Sequence, residues 1–253
     1  SQPGPVPVKP FAQAPGLAIS RDMHRLLRRL LACALCTLIL PVAAMEFHAV
    51  GDTLVLSGPV VSDDLVRLRN HLAAQRFKLV LLHESPGGDL WNGYQVGNRI
   101  REEGLATAVS GRCESACGLI FLSGTARSFS DGRPLGQTMV GLHGAHAMDT
   151  LQPLPELSPR MAYMIRTMTD RKFPNDLLQR TVYPRNAEDI VYAFHPARYT
   201  APGRGVVECL KQPDVSFKCT MLQGHDALGI GVITNPEVLA LPPEVKELLE
   251  RLS

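Results

Sequence analysis

The chain has 253 residues, of which 45% are hydrophobic and 20% are charged, a composition that is ordinary for a globular protein. Its formal net charge is only +2, so the charge gives no reason to expect a nucleic-acid partner. The length allows one large domain or two small ones.

The first 44 residues differ from the rest of the chain. Residues 1–22 are rich in Pro, Gly and Gln, and we interpret them as a tag-like or mis-assigned leader outside the fold. Residues 23–44 have the pattern of a secretory signal peptide, in which arginines precede an apolar stretch and a small-residue cleavage site. The alternative is an uncleaved anchor in the inner membrane, although the apolar stretch is short for a span, which needs ~20 residues.

Cleavage after Ala44 would leave a mature chain over 45–253. Because residues 1–44 carry five Lys or Arg and one Asp, the mature chain would have a net charge of −2. This charge argues further against a polyanionic partner. We therefore expect an exported, periplasmic protein with a single folded domain over 45–253.

Strand and helix patterns alternate along the mature chain. The strand-like runs are 53–58, 78–85, 105–110 and 138–144, and a helical pattern follows each of them. The run 78–85 is almost continuously apolar, as expected of a strand that is buried on both faces of a parallel sheet. This alternation predicts an α/β fold with a mainly parallel sheet and flanking helices.

Three loops at the carboxyl ends of these strands carry polar or glycine residues, and active sites in such sheets lie at that edge. The segment "ESPGGD" (84–89) places two glycines in a strand-to-helix turn, Ser115 lies in the next such turn, and His143 ends a third strand. Each feature alone is ordinary, because serine commonly caps helices and glycine commonly makes turns. Together they match the needs of a serine nucleophile, which are a base and two N–H donors for the oxyanion.

The motifs "SPGGD", "SACGLIFLSG" and "MVGLHG" together resemble the Clp protease and crotonase superfamily, and most of all its exported bacterial Clp-protease-like members. The resemblance covers residues 50–145 well. It implies a Clp/crotonase-type (ββα) superhelix and a serine hydrolase, a peptidase that needs no cofactor. It also implies that Ser115 is the nucleophile and His143 the general base, with the N–H groups of Gly88 and Ala116 as the oxyanion hole.

The resemblance further implies an acid that orients the imidazole, for which Asp189 is the first choice and Glu188 the second. Residues 227–233 resemble the strand that closes the repeat unit of this fold, and the segment near 205–222 would be a hairpin insertion. No counterpart of the long helix that joins Clp rings is apparent. The resemblance therefore favours limited cleavage of a peptide or protein substrate. It also implies a homo-oligomer, because members of this family commonly form rings or trimers, although no residue of this sequence requires one.

Four cysteines follow the signal segment. Cys209 and Cys219 flank a turn in the hairpin segment, which suits a disulfide in an exported chain. Cys113 and Cys117 bracket Ser115 and are either disulfide-bonded or two buried thiols. A third interpretation is a zinc site that these two cysteines form with the two histidines of 143–146, His143 and His146, which would make the protein a zinc-stabilised module.

A non-catalytic peptide- or protein-binding module on the same fold is the main alternative to an enzyme, because one fold hosts many functions. Trp91 and Tyr94 follow the glycine turn and would line a peptide groove in that case. Aromatic residues on a helix more often belong to the core, which is the other interpretation of Trp91 and Tyr94.

Overall fold

The computed structural model describes residues 44–147 and 149–253, and these form one compact unit. The leader prediction and all but the last residue of the signal-peptide prediction lie outside the described residues. In the part of the chain that is described, no helix has both the length and the apolar character needed to cross a membrane.

The described residues contain nine strands, which form one sheet in the order β1-β2-β3-β4-β6-β7-β8-β9, with β5 paired to β4. The strands are β1 (Glu46–Val50), β2 (Thr53–Ser57), β3 (Leu79–Ser85), β4 (Ala106–Glu114), β5 (Arg127–Phe129), β6 (Met139–Leu142), β7 (Ile190–Phe194), β8 (Val206–Lys211) and β9 (Phe217–Leu222).

The sheet combines a parallel half and an antiparallel half. Strands β2, β3 and β4 run parallel, and the two halves of β4 pair in parallel with β5 and β6. From β6 to β9 every pairing is antiparallel, as is the pairing of β1 with β2. The predicted α/β class is confirmed. The sheet is mixed, because β1 and the strands from β7 to β9 pair with their neighbours in antiparallel orientation.

Six α-helices in the described residues flank this sheet. They are α1 (Asp64–Ala74), α2 (Leu90–Glu102), α3 (Ala116–Leu122), α4 (Ser158–Met168), α5 (Asn175–Val182) and α6 (Pro243–Arg251). The first three follow β2, β3 and β4 directly, as the sequence pattern predicts. One face of α4 is apolar and buried, so it belongs to the core; it consists of Met161, Met164, Ile165 and Met168.

Two apolar cores lie on opposite faces of the sheet, because successive side chains of a strand point to opposite sides. In β3, Val80 and Leu82 belong to the larger core, which also contains α3. Leu81 between them belongs to the smaller core, which α6 covers. This division explains why the run 78–85 is apolar at consecutive positions.

Helices α2 and α3 approach closely in the larger core, and α2 has glycine where they meet. A Cβ atom at Gly93 would lie 2.9 Å from the Cβ of Ala116. Since real Cβ atoms do not come this close, α2 can pack over the first turn of α3 only with glycine at this position. The packing holds the start of α3 in place.

Residues 227–233 do not form the strand that the resemblance implies. They form turns, and the buried guanidinium of Arg127 holds them by donating to the carbonyls of Gly231 and Val232, each at 3.0 Å. The apolar character of this segment reflects burial of its side chains against the larger core. The predicted hairpin near 205–222 is present as β8 and β9.

Candidate active site

Ser115 occupies a one-residue junction between β4 and α3. Its backbone has φ 58° and ψ −125°, in the region of positive φ that residues other than glycine seldom adopt. The N–H of Ser115 donates to the carbonyl oxygen of Gly141 in β6 at 2.9 Å, which fixes this junction to the sheet. Strained strand-to-helix turns of this kind are used by serine hydrolases to expose a nucleophile.

The hydroxyl of Ser115 does not cap the helix that it precedes. A serine at the start of a helix ordinarily accepts a hydrogen bond from an N–H group of the first turn. Here the positive φ turns the side chain away from those groups, and among the described residues the hydroxyl makes no hydrogen bond. The ordinary structural explanation of this serine therefore does not apply.

The glycine turn between β3 and α2 lies directly against the Ser115 junction. Gly87 has φ 85°, and a Cβ atom there would lie 2.5 Å from the Cβ of Ser115 and 2.9 Å from the nitrogen of Ala116. Gly88 has φ 142° and packs against the backbone of Val60. Glycine is required at both positions, by backbone conformation and by space.

The two N–H groups expected to form the oxyanion hole are available in this arrangement. Ala116 is the first residue of α3, so its N–H has no acceptor one turn earlier within the helix. Within residues 44–147 and 149–253, the N–H of Gly88 likewise has no hydrogen-bond acceptor. The positive end of the α3 backbone dipole adds to the attraction for a developing negative charge.

His143 follows the last residue of β6 and is half-buried. Its Nδ1 lies 2.8 Å from the carbonyl oxygen of Gly144. Because a carbonyl oxygen only accepts, Nδ1 carries the proton and Nε2 is the free basic nitrogen. Burial lowers the pKa of His143, the hydrogen bond to Gly144 opposes this shift, and the neighbouring His146 adds to it.

Ser115, His143 and the glycine turn line one cavity of about 410 Å³. The rest of its wall is mainly apolar, with one further imidazole, and consists of Pro59, Val60, Val61, Pro86, Leu90, Gly144, Ala145, His146, Leu154, Leu157 and Met161. An apolar cleft with a few convergent polar groups is the usual form of a substrate site. In the described residues no hydrogen bond joins the Ser115 hydroxyl to the His143 ring; such contacts are commonly long in uncomplexed enzymes.

Asp189 does not lie behind His143, which corrects the first choice for the orienting acid. Its buried carboxylate accepts hydrogen bonds from the N–H groups of Arg185 at 3.1 Å and Asn186 at 2.9 Å. The second oxygen accepts from the N–H of Lys211 at 2.8 Å. These bonds close the turn before β7 and attach it to β8. The acceptor at Nδ1 of His143 is the carbonyl oxygen of Gly144 instead.

Two other carboxylates lie near the imidazoles, in an adjoining cavity of about 410 Å³ that His143 and His146 also line. Glu188, the second choice for the acid, lines this cavity and forms an ion pair with Lys211 at 2.9 Å. Glu114 lines it as well and accepts a hydrogen bond from the Tyr192 hydroxyl at 2.8 Å. The sequence interpretation missed Glu114, although its place immediately before Ser115 was a signal.

Both predicted cysteine pairs are disulfide-bonded. The bond between Cys113 and Cys117 joins the end of β4 to the first turn of α3 and encloses Ser115, with 5.2 Å between the Cα atoms. The bond between Cys209 and Cys219 joins β8 to β9. Disulfides of this kind indicate that the chain matures in an oxidising environment.

The first of these bonds contradicts the zinc alternative. That interpretation required the thiolates of Cys113 and Cys117 as ligands, and the two sulfur atoms are bonded to each other. In the described residues, no group of three or more His, Cys, Asp or Glu side chains is arranged to hold a metal ion.

Solved structures of similar fold include a mutant of the 1510-N membrane-bound stomatin-specific protease, at 12% identity and a TM-score of 0.42, with 78% of this chain and 81% of that chain covered. A mutant of ClpP1 from Listeria monocytogenes is 11% identical with a TM-score of 0.46, and the match covers 77% of this chain and 94% of that chain. Neither a protein-family model nor a curated protein matches the sequence.

Proposed function

We propose that the chain is an exported serine peptidase in which Ser115 is the nucleophile and His143 the general base. The observation that carries this proposal is the Ser115 junction. Its positive φ takes the hydroxyl away from helix capping, and the same cavity holds the His143 ring and the glycine turn. A capping serine and a packed histidine would not need this arrangement.

The proposed reaction is a two-step acyl transfer. His143 Nε2 takes the proton from the Ser115 hydroxyl as its oxygen bonds to the carbonyl carbon of the substrate amide. The N–H groups of Gly88 and Ala116 stabilise the resulting oxyanion. The imidazolium then gives the proton to the leaving amine as the C–N bond breaks, and a water molecule hydrolyses the acyl-enzyme with the same base.

The group that orients the base is unusual in this proposal. The carbonyl of Gly144 fixes the tautomer of His143, as an aspartate does in a triad, but it carries only a partial charge. It therefore stabilises the imidazolium less than a carboxylate would. We expect a slower enzyme than a Ser-His-Asp protease, in keeping with limited cleavage instead of bulk degradation.

The proposed location is the periplasm, where disulfides form and persist. Both disulfides of the described residues support this location, since one of them encloses the nucleophile itself. The proposed substrates are peptide segments that can enter the cavity beside Ser115. Assembly into a homo-oligomer is compatible with this site and is not required by it.

A fluorophosphonate probe tests the proposal directly, because it reacts with an activated serine and needs no knowledge of the substrate. We expect the mature chain 45–253 to be labelled and the Ser115→Ala variant to remain unlabelled. Ser62→Ala is the matched control, since Ser62 is exposed and its hydroxyl forms no hydrogen bond in the described residues.

The His143→Gln variant should fold and lose most of the labelling, because glutamine cannot accept the serine proton. Labelling that persists in Ser115→Ala would remove Ser115 from the mechanism. A wild-type chain that is correctly disulfide-bonded and stays unlabelled would contradict the enzyme proposal as a whole.

A peptide-binding module without catalysis is the second candidate. The observation that favours it is the absence of a hydrogen-bonded carboxylate at His143 within the described residues. An unlabelled chain that binds peptides in the same cavity would identify this function.

A further inference from the structure

A smaller cavity of about 150 Å³ lies between α2 and α4, beside the cavity of Ser115. Its walls consist of Leu90, Trp91, Tyr94, Leu157, Arg160, Met161 and Met164. Three of these residues, Leu90, Leu157 and Met161, also line the cavity of Ser115. The two cavities are therefore neighbours, and a substrate held at Ser115 lies beside the smaller one, here called the α2–α4 subsite.

An aromatic pair with an arginine over it forms the outer rim of the α2–α4 subsite. The guanidinium carbon of Arg160 lies 4.3 Å from the ring centroid of Trp91 and 5.2 Å from that of Tyr94. Trp91 is 50% exposed, which is high for so large an apolar side chain. Exposed aromatic residues beside a cleft are typical of binding surfaces.

Arg160 has no acidic partner in the described part of the chain. Other arginines on the helix surfaces do, since Arg99 pairs with Glu102 and Glu103, and Arg180 pairs with Asp176 and Glu208. A guanidinium that lies over aromatic rings keeps N–H donors that are not used by the rings. This geometry suits a carboxylate, which accepts two parallel hydrogen bonds from such a group.

The α2–α4 subsite thus combines an apolar cavity of side-chain size with a cation at its rim. The C-terminal residue of a peptide can fill the cavity and pair with the cation at the same time, because its apolar side chain and its α-carboxylate are attached to the same carbon atom. An internal acidic residue would fill only the cation site and would need a second, apolar residue for the cavity.

We propose that the α2–α4 subsite binds the C-terminal residue of the substrate, with an apolar side chain in the cavity and the α-carboxylate on Arg160. This inference deepens the proposed function and rests on it, since it makes the chain a peptidase that cleaves near apolar C-termini. The binding step is separable from catalysis and can be measured without it.

Trp91 is the only tryptophan of the chain, so its fluorescence reports on the α2–α4 subsite alone. The Ser115→Ala variant of the mature chain would be titrated with N-acetyl-Ala-Ala-Phe as the free acid, with its C-terminal amide, and with N-acetyl-Ala-Ala-Gly as the free acid. We expect the Phe acid to bind about tenfold more tightly than its amide, because the charge-assisted bonds to Arg160 are lost in the amide. It should also bind about tenfold more tightly than the Gly acid, which leaves the apolar cavity unfilled.

Arg160→Gln should abolish the preference for the acid over the amide and leave the preference for Phe over Gly. Arg166→Gln on the same helix is the matched control, since Arg166 is exposed and donates to Asn175. This control should keep both preferences.

Three results would overturn the inference. They are equal binding of acid and amide, a preference for the acid that survives Arg160→Gln, and an internal-aspartate peptide amide that binds as tightly as the free acid. Protection of Trp91 from iodide quenching at high protein concentration, without any response to peptide, would instead assign this face to a second copy of the chain. Because fluorophosphonate labelling at Ser115 does not need Arg160, a failed subsite and a failed hydrolase give different results.

Discussion

The protonation state of His143 decides whether the Ser115 hydroxyl can lose its proton. Burial lowers the pKa of this imidazole below its ordinary value of 6.5, and His146 lowers it further. Both imidazoles also line the cavity that contains Glu114 and Glu188. The neutral, basic form therefore predominates at neutral pH without a carboxylate bonded to the ring.

The rate of fluorophosphonate labelling should rise with pH through the pKa of His143, because only the neutral ring accepts the serine proton. Since burial favours the neutral form, we expect this rise to be centred below pH 6.5. His146→Gln should move the centre to higher pH, because it removes the electrostatic effect of His146 that lowers the pKa of His143. Labelling measured over a series of buffers checks both, and a rise centred above pH 6.5 in the wild-type chain would contradict the assignment of His143.

Asp189 shows that a residue of the right type at a suitable position in the sequence need not lie in the site. Its distance along the chain from His143 suits a triad, and its type is correct. Yet its carboxylate accepts hydrogen bonds from three backbone N–H groups, two in the turn before β7 and one in β8. Aspartate is common at such turns because its side chain bonds to nearby backbone groups, and a sequence does not distinguish that use from a catalytic one. Ser115 was easier to predict, since both neighbouring elements were visible as patterns.

At the scale of elements, the site depends on the contact between two strand-to-helix turns. The turn after β3 contributes Gly87 and Gly88, and the turn after β4 contributes Ser115 and Ala116. These strands are parallel neighbours, so their carboxyl ends meet at one edge of the sheet. The disulfide between Cys113 and Cys117 links the two sides of the second turn and limits the conformations that Ser115 can adopt.

Gly87→Ala should destabilise the fold and abolish labelling, because the new Cβ atom would lie 2.5 Å from the Cβ of Ser115 at a position with φ 85°. Gly51→Ala is the matched control, since Gly51 has φ 57° but no atom within 4 Å of the new Cβ atom. The control should cost about 1 to 2 kcal/mol in the free energy of unfolding and keep full labelling. Denaturant unfolding and probe labelling of both variants measure this difference. Equal labelling of the two would show that the glycine turn does not shape the Ser115 junction.

The sequence predicted the alternation of strands and helices from β2 to β6 and the hairpin of β8 and β9, but not the edge strand β1, the short strand β5 or the strand β7. Strands β2 to β4 are each followed by a helix, so the change from strand to helix periodicity marks every boundary. Beyond β6, the strands β7 to β9 pair as hairpins, and their half-exposed faces resemble loops in sequence. The segment 227–233 was mistaken for a strand because a buried turn is as apolar as a strand, and only the donors of Arg127 reveal how its carbonyls are satisfied.

Across the whole molecule, the sheet separates the face that carries the candidate site from the face that α6 covers. Ala116, Cys117 and Leu119 at the start of α3 pack in the larger core. Leu249 of α6 belongs to the smaller core, as does Leu81 of β3. When the strands stay in register, the loss of side-chain atoms on one face of a sheet should change the packing on the other face very little. We therefore expect a truncation in either core to lower the free energy of unfolding, but only a truncation in the larger core to change the reactivity of Ser115.

Leu249→Ala and Leu119→Ala test this separation, because both leucines are about 1% exposed and both changes remove the same atoms. Each should lower the free energy of unfolding by about 2 to 5 kcal/mol, as is usual for a leucine truncated in a core. Leu249→Ala should keep the wild-type rate of fluorophosphonate labelling under conditions where it is folded. Leu119→Ala should label more slowly, since the cavity that it creates lies beneath the turn that holds Ser115 and Ala116. Unfolding curves and labelling rates measured on the same samples compare the two, and a folded Leu249→Ala variant that labels as slowly as Leu119→Ala would mean that the sheet does not isolate the site from α6.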